Sequence, residues 1–219
     1  ELRDGLFAFK RRMREFNRKI SGRQLSDLAV FKIEPEDETA LVEAIELLIG
    51  KRCEALVVHS KALGDEELVD YALRAPGMVL INRDIPSLRG RCIALNNRQG
   101  AATATRHLLD LGHRHIAFLS SDHAIEDALL RHQGYQDALA EAEVFADPEL
   151  VESGMPNEEG GECAMLNLLA KGLPITAVVA YNDAMAAGAI SVLADNGLKV
   201  PEEVSVVGFD DIIYARYLR

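Results

Sequence analysis

The chain has 219 residues, of which 48% are hydrophobic, enough to bury a core. Its 24 Lys and Arg residues against 35 Asp and Glu residues give a net charge of -11, which disfavours direct binding of nucleic-acid phosphates. No apolar run reaches the roughly 18 residues of a membrane-spanning helix, and the N-terminal segment lacks the apolar stretch of a signal peptide. Cys53, Cys92 and Cys163 form no CxxC pair, and this spacing predicts a reducing compartment.

The first half of the chain opens with a helical pattern and then alternates between strands and helices. Apolar residues at spacings of three and four predict an amphipathic helix over residues 1–20. Short apolar runs bounded by turn residues predict the strands, and acidic starts with Gly or Pro ends mark the helices. The predicted strands are 28–31, 55–60, 78–82 and 92–95, and the predicted helices are 38–49 and 65–73.

The second half repeats this rhythm. The predicted helices are 97–111, 126–141, 158–171 and 184–196, and the predicted strands are 115–120, 150–154, 176–181 and 204–209. Strands that alternate with helices of this length indicate βα units on parallel sheets. A break near Asn96 and Asn97 divides the chain into two α/β subdomains, 1–96 and 97–219. Because ligand sites favour the interfaces between domains, we expect a cleft between the two.

Polar residues or glycine follow six of the predicted strands. In open parallel sheets, ligands bind outside the carboxyl ends of the strands, so these residues would line a cleft. The pattern leaves a second interpretation open, because an Asn or Asp at such a position can also cap the following helix. The six positions are His59-Ser60, Asn82-Arg83, Ser120-Ser121, Gly154, Asn182-Asp183 and Asp210-Asp211.

The sequence contains no motif that is typical of a catalytic, cofactor or metal site. His113 and His115 have no third ligand nearby, so we interpret them as structural loop histidines. Phosphate-binding GxxxxGK[ST], dinucleotide-binding GxGxxG and nucleophilic GxSxG patterns are missing, and we expect neither an enzyme nor a bound cofactor. The strand-end side chains instead match sugar hydroxyls, which both donate and accept hydrogen bonds. Arg131 is either a donor to such a ligand or a solvent-facing helix residue.

Several blocks of the sequence resemble the lactose/galactose repressor family (LacI/GalR), and within it most closely the galactose-repressor branch. The match runs from about Ala44 to Arg219. Its blocks are "CEALVVHSKALGDEEL", "PGMVLINR", "TRHLLDLGHRHIAFLSS", "HAIEDALLRHQGY", "TAVVAYNDAMAAGA" and "VPEEVSVVGFDDI".

The resemblance implies an α/β fold of the type I periplasmic-binding-protein kind, in which two doubly wound parallel-sheet subdomains enclose the ligand. It implies a cytoplasmic homodimer whose effector, D-galactose or a related monosaccharide, controls the binding of operator DNA. It gives Asn182 the role of a ligand donor and Asp183 that of the helix cap. The effector contacts that it carries over are His59, Asn82, Asp127, Arg131, Met155, Asn182 and Asp210.

The chain departs from the family pattern at both ends. The family's helix-turn-helix, hinge helix and first strand would precede Glu1, and its last helix would follow Arg219. We therefore expect the effector-binding part of a repressor that binds operator DNA through the helix-turn-helix. The segment 17–36 fits the pattern poorly, and Met155 replaces an aromatic that stacks on the ligand in relatives.

One alternative has the same fold, a periplasmic sugar-binding protein of a transporter. A signal peptide upstream of Glu1 would favour it, whereas the unpaired cysteines favour the cytoplasm. A homodimer is expected also on general grounds, because symmetric homodimers are the commonest oligomers of soluble proteins. The candidate surfaces are the predicted first helix, with Phe7, Phe9 and Phe16, and the helix at 64–74.

Overall fold

The computed structural model describes residues 38–60 and 63–216, and the chain divides into two compact units between Leu95 and Asn96. The helix predicted over 1–20 and the strand predicted at 28–31 lie outside the described residues. In each unit the described strands form one sheet, and every pairing is parallel. The predicted α/β class with two parallel-sheet subdomains is therefore confirmed.

The first unit has a three-stranded sheet in the order β1-β2-β3. In β1, Leu56 and Val58 are buried whereas Val57 and His59 are exposed, so only one face of this strand packs on the core. Its described elements are α1 (Glu38–Gly50), β1 (Leu56–His59), α2 (Asp65–Arg74), β2 (Met78–Ile81), a 3-10 segment (Pro86–Arg91) and β3 (Cys92–Ile93).

Strand β3 is shorter than the predicted 92–95. Asn82 follows β2 in the left-handed region, with φ of 59°, and its backbone N–H donates to the carbonyl of Ile93 at 2.7 Å. The ladder pairs Leu80 with Cys92 and Ile81 with Ile93, and then β2 ends. Residues 94 and 95 have no partner in β2, because the chain turns away at Asn82.

The second unit has a four-stranded sheet in the order β5-β4-β6-β7. Its described elements are α3 (Asn97–Asp110), β4 (Ile116–Ser121), α4 (Glu126–Glu141), a 3-10 segment (Pro148–Leu150), β5 (Val151–Gly154), α5 (Glu158–Ala170), β6 (Ala177–Ala180), α6 (Asp183–Asp195), β7 (Ser205–Val207) and a 3-10 segment (Ile213–Arg216). In the described ranges 38–60 and 63–216, no helix is both long and apolar enough to cross a membrane.

Helices cover both faces of this second sheet. Ile116 and Phe118 of β4 share a core with α3 and α4, which includes Leu108, Tyr135 and Leu139. The alternate residues Ala117 and Leu119 share a core with α5 and α6, which includes Ala164, Leu168 and Met185. All six residues of β4 are buried, so this central strand packs on both faces, and its first four residues form a continuous apolar run before Ser120 and Ser121.

The connections place a topological switch point between β4 and β6. From β4 the chain moves to β5 on one side and then returns to β6 on the other. In open parallel sheets, the crevice outside the carboxyl ends of the strands at such a point receives ligands. We therefore expect a ligand site among the residues that follow β4, β6 and β7.

Candidate functional site

Arg131 is the centre of a polar cluster at this edge of the second sheet. It projects from α4 and is only 4% exposed, so the structure does not support the solvent-facing alternative. Its Nε donates to Asn97 Oδ1 at 2.9 Å, its Nη1 to the carbonyl of Tyr181 at 2.5 Å, and its Nη2 to Asp210 Oδ1 at 3.3 Å. These bonds join α3, the end of β6 and the loop after β7 through one guanidinium.

Two aromatic rings flank the same guanidinium. Its central carbon lies 3.7 Å from the ring centroid of Phe209 and 4.4 Å from that of Tyr181. A cation this close to a ring face is attracted by the ring quadrupole, and the attraction grows when water is excluded. Burial raises the pKa of the Tyr181 hydroxyl, although the charge of Arg131 opposes this shift.

Asp127 belongs to the same cluster. It lies on the first turn of α4, one turn before Arg131, and is 8% exposed. Its Oδ1 accepts a hydrogen bond from Asn97 Nδ2 at 3.1 Å, and the carbonyl oxygen of the same Asn97 side chain accepts from Arg131. The cluster thus combines two carboxylates, Asp127 and Asp210, with one buried cation.

The structure places the cap of α6 at Asn182 and not at Asp183. Asn182 is the N-cap of α6, because its extended backbone lets Oδ1 accept from the N–H of Met185 at 2.8 Å. Its Nδ2 donates to the carbonyl of Pro156 at 2.9 Å. Asp183 already belongs to the helix and its carboxylate bonds elsewhere, so the prediction that Asp183 is the cap was wrong.

In the first unit, His59 and Asn82 lie at the carboxyl ends of the neighbouring strands β1 and β2. His59 pairs in register with Ile81, the residue before Asn82, and its side chain is exposed. Asn82 is half-buried, and Asn is one of the residues that tolerate a left-handed backbone. The adjacent Arg83 donates to the carbonyls of Ser60 and Leu63. The two candidate side chains therefore share one edge of the first sheet.

Met155 follows β5 at the edge of the second sheet. The residue is 49% exposed, so about half of its surface is accessible. The next residue, Pro156, accepts the amide of Asn182, which ties this loop to the start of α6. Met155 is thus an exposed apolar side chain one residue from a polar tether, and it is not a core residue.

Three members of the cluster were not predicted from the sequence: Asn97, Tyr181 and Phe209. The two aromatics had a readable signal, because "YND" and "FDD" each place an aromatic before two polar residues at a strand end. Asn97 had none, since an Asn at the start of a predicted helix is typical of a cap. In the structure the cap is Asn96, and Asn97 is buried.

His113 has the structural role that the sequence predicted. Its ring nitrogens lie 3.1 Å from Thr176 Oγ1 and 3.1 Å from Ser205 Oγ, so it joins the starts of β6 and β7. Within residues 38–60 and 63–216, no group of three His, Cys, Asp or Glu side chains could hold a metal ion. The polar groups of the cluster are hydrogen-bond donors and acceptors.

Comparisons with known proteins agree with this architecture. A periplasmic binding protein-like domain matches residues 105–219. The HTH-type transcriptional regulator GalR of Escherichia coli is 54% identical over 81% of this chain and 52% of its own length. The chain thus spans about half the length of that regulator.

Two solved structures show the same fold. A sugar-binding transcriptional regulator of the LacI family from Escherichia coli, complexed with phosphate, is 32% identical, with a TM-score of 0.79 over 98% of this chain and 74% of the other. The lac repressor dimer bound to operator and the anti-inducer ONPF is 25% identical, with a TM-score of 0.70 over 82% of this chain and 62% of the other. The chain belongs to the LacI/GalR family of transcriptional regulators and corresponds to its effector-binding domain.

Proposed function

We propose that this chain is the sugar-responsive effector-binding and dimerisation domain of a LacI/GalR-type repressor, and that its effector is D-galactose or a related monosaccharide. The observation that carries this proposal is the pair formed by Arg131 and Asp210, 3.3 Å apart at a strand end. A sugar hydroxyl can donate to the carboxylate and accept from the guanidinium, and hydrogen bonds to charged groups are the stronger ones.

Both members of the pair have capacity left for a ligand. A guanidinium carries five N–H groups, and Arg131 uses three of them on Asn97, Tyr181 and Asp210. The Asp210 side chain is 37% exposed, and its hydrogen bond with Arg131 uses Oδ1. The buried guanidinium is already oriented before a ligand arrives, which reduces the ordering cost of binding.

The remaining candidates complete the proposed set of contacts. Asp127 holds Asn97 and faces the cluster, while Asn182 has one amide hydrogen beyond its bond to Pro156. We assign both to hydroxyl contacts at the second sheet and Met155 to an apolar contact with the sugar ring. The family resemblance also carries His59 and Asn82, at the edge of the first sheet, into the proposed set of ligand contacts.

The wider biology of the proposal rests on the relatives. GalR is named an HTH-type regulator, and the lac repressor structure is a dimer on its operator. We propose a cytoplasmic homodimer that binds operator DNA through an N-terminal helix-turn-helix of the longer protein and has no catalytic activity. Cys53, Cys92 and Cys163 are all free thiols, which fits a reducing compartment. The relatives are transcriptional regulators, and this favours a repressor over the periplasmic sugar-binding alternative.

The test compares ligands and one pair of variants, in the chain expressed from its complete coding sequence. Galactose, glucose, ribose and adenine are titrated by calorimetry, and each is added at saturation in thermal unfolding. A ligand at about 100 times its dissociation constant stabilises the folded state by about 2.7 kcal/mol. Asp210→Asn should weaken galactose binding about tenfold, because it removes the charge that strengthens the hydrogen bonds of the carboxylate, and bonds to charged groups are worth about 1.5–3 kcal/mol.

Asp211→Asn is the matched control, since it makes the same change at the adjacent exposed residue, which is also left-handed. It should bind galactose as the parent does. A melting shift with adenine and with none of the sugars would exclude the proposed ligand class. Equal affinities of the parent and Asp210→Asn would exclude the proposed site.

A further inference from the structure

The loop after β7 carries Asp210 in an unusual backbone conformation. Asp210 and Asp211 are consecutive left-handed residues, with φ of 99° and 56°. Asp tolerates this region better than most residues, but two such residues in succession are uncommon and cost energy that the surrounding structure must offset. Asp210 faces Arg131 from this loop, so whatever holds the loop also sets the position of the carboxylate.

Asp183 contacts both sides of these two residues. Its backbone N–H donates to the carbonyl of Phe209 at 2.9 Å, and its Oδ2 accepts from the N–H of Ile212 at 2.8 Å. A Cβ built on Gly208 would lie 2.2 Å from Asp183 Oδ1, so the loop passes against the carboxylate with no room for a side chain. Asp183 thus fixes the loop before Asp210 and after Asp211.

The carboxylate of Asp183 is buried, and α6 does not require it as a cap. Asp183 is 6% exposed, and burial raises the pKa of its carboxyl, with the charges of Asp210 and Asp211 acting in the same direction. The backbone N–H groups of Ile212 and Asp211 oppose that shift. Asn182 caps the helix, so the side chain of Asp183 is not needed there. The carboxylate of Asp183 instead accepts from the backbone of the loop at Ile212.

We infer that Asp183 is the positioning residue of the proposed effector site: it holds the 208–212 loop so that Asp210 meets Arg131 and the ligand. This inference rests on the proposed function, because it concerns the placement of a carboxylate that binds the sugar. Asp183 itself does not contact the ligand and acts through Asp210.

The test is a double-mutant cycle on galactose affinity, measured by calorimetry on the chain from its complete coding sequence. Asp183→Ala should weaken binding about tenfold, which corresponds to about 1.4 kcal/mol. Asp183→Asn keeps one oxygen that can accept from Ile212, so it should restore most of the affinity. In an Asp210→Asn background, Asp183→Ala should have almost no further effect, because the group that it positions is already altered.

Asp195→Ala is the control, since it removes an exposed acid from the other end of α6 and should bind like the parent. If Asp183→Ala does not fold, Gly208→Ala replaces it, because its methyl group must displace the carboxylate. Parent-like affinity of Asp183→Ala, or of Gly208→Ala where that variant replaces it, would overturn the inference alone, as would losses that multiply in the double mutant. A parent that binds no sugar would overturn the proposed function, and the inference with it.

Discussion

At the scale of single residues, His132 combines burial with an unmet hydrogen-bonding group. Its ring stacks against Phe118 and Tyr135, with centroids 5.4 Å and 6.2 Å away, and these two rings also stack on each other at 5.0 Å. Its Nε2 is buried and has no hydrogen-bond partner among the residues that the structure describes. Burial lowers the pKa of His132, because the charged form has no compensating partner there.

This lowered pKa predicts a loss of stability in acid. Below the ordinary histidine pKa of about 6.5, the unfolded chain binds a proton that the folded chain resists. The contribution of His132 is therefore fully present above that pH and is lost as the pH falls towards the folded-state pKa. The free energy of unfolding is measured with urea at pH 7.5 and at pH 5.5. From the higher to the lower pH it should decrease less for His132→Gln than for the parent.

The same substitution at the exposed His115 is the control for this measurement. In His115→Gln, the free energy of unfolding should decrease between the two pH values by as much as in the parent. If His132→Gln and His115→Gln show the same decrease, then the buried ring of His132 does not contribute to acid sensitivity.

At the scale of the elements, glycines set how closely the helices pack on each face of the second sheet. A Cβ at Gly134 of α4 would lie 2.0 Å from the carbonyl oxygen of Arg98 in α3. On the other face, a Cβ at Gly188 of α6 would lie 2.1 Å from the carbonyl oxygen of Glu158 in α5. In both pairs the clash is with backbone, which cannot rotate away as a side chain can.

We expect Gly134→Ala to destabilise the chain by about 1–3 kcal/mol or more, the range for overpacked cores. The added methyl group must push α3 and α4 apart, and this also strains the bonds of Arg131 on α4. Gly50→Ala is the control, because a Cβ there would meet no described atom within 4 Å apart from its own helix backbone and chain neighbours, and Ala suits a helix better. Chemical unfolding of both variants measures the difference, and equal stabilities would contradict the close packing.

At the scale of the whole molecule, the proposed function includes a homodimer, which requires a surface for contact between two copies. Of the two candidate surfaces, the predicted helix with Phe7, Phe9 and Phe16 lies outside the described residues. The other includes α2, on which Leu73 is 69% exposed beside the ion pair of Arg74 with Glu46. An exposed Leu on a helix rimmed by charges is a plausible centre for a contact between copies.

Sedimentation velocity tests this surface. The parent should sediment as a dimer, and Leu73→Glu should shift it towards monomer, because a charge would be buried without a partner. Leu111→Glu makes the same change at a residue that is 62% exposed in the second unit, and it should remain dimeric. A Leu73→Glu variant that stays dimeric would remove α2 from the interface, and a monomeric parent would exclude the dimer itself.

Much of the architecture follows from the local pattern of the sequence. Apolar runs between Gly and Pro predicted the strands and helices of 38–60 and 63–216 to within a few residues, since burial periodicity and helix ends are properties of neighbouring residues. The βα alternation then predicted parallel sheets. Arg131, Asp127 and Asp210 were named as site residues from the family resemblance, and the structure brings them into one cluster.

Only the tertiary structure decided which partner each polar group takes. Asn182 and Asp183 are both good caps by residue type, and the choice depended on the loop at 208–212, which lies 25 or more residues further along the chain. Asn97 and Phe209 entered the cluster in the same way, because a buried guanidinium collects partners from several elements at once. Sequence patterns report the chain's own neighbours, whereas these contacts join residues from separate strands and helices, and only the packed sheet brings them together.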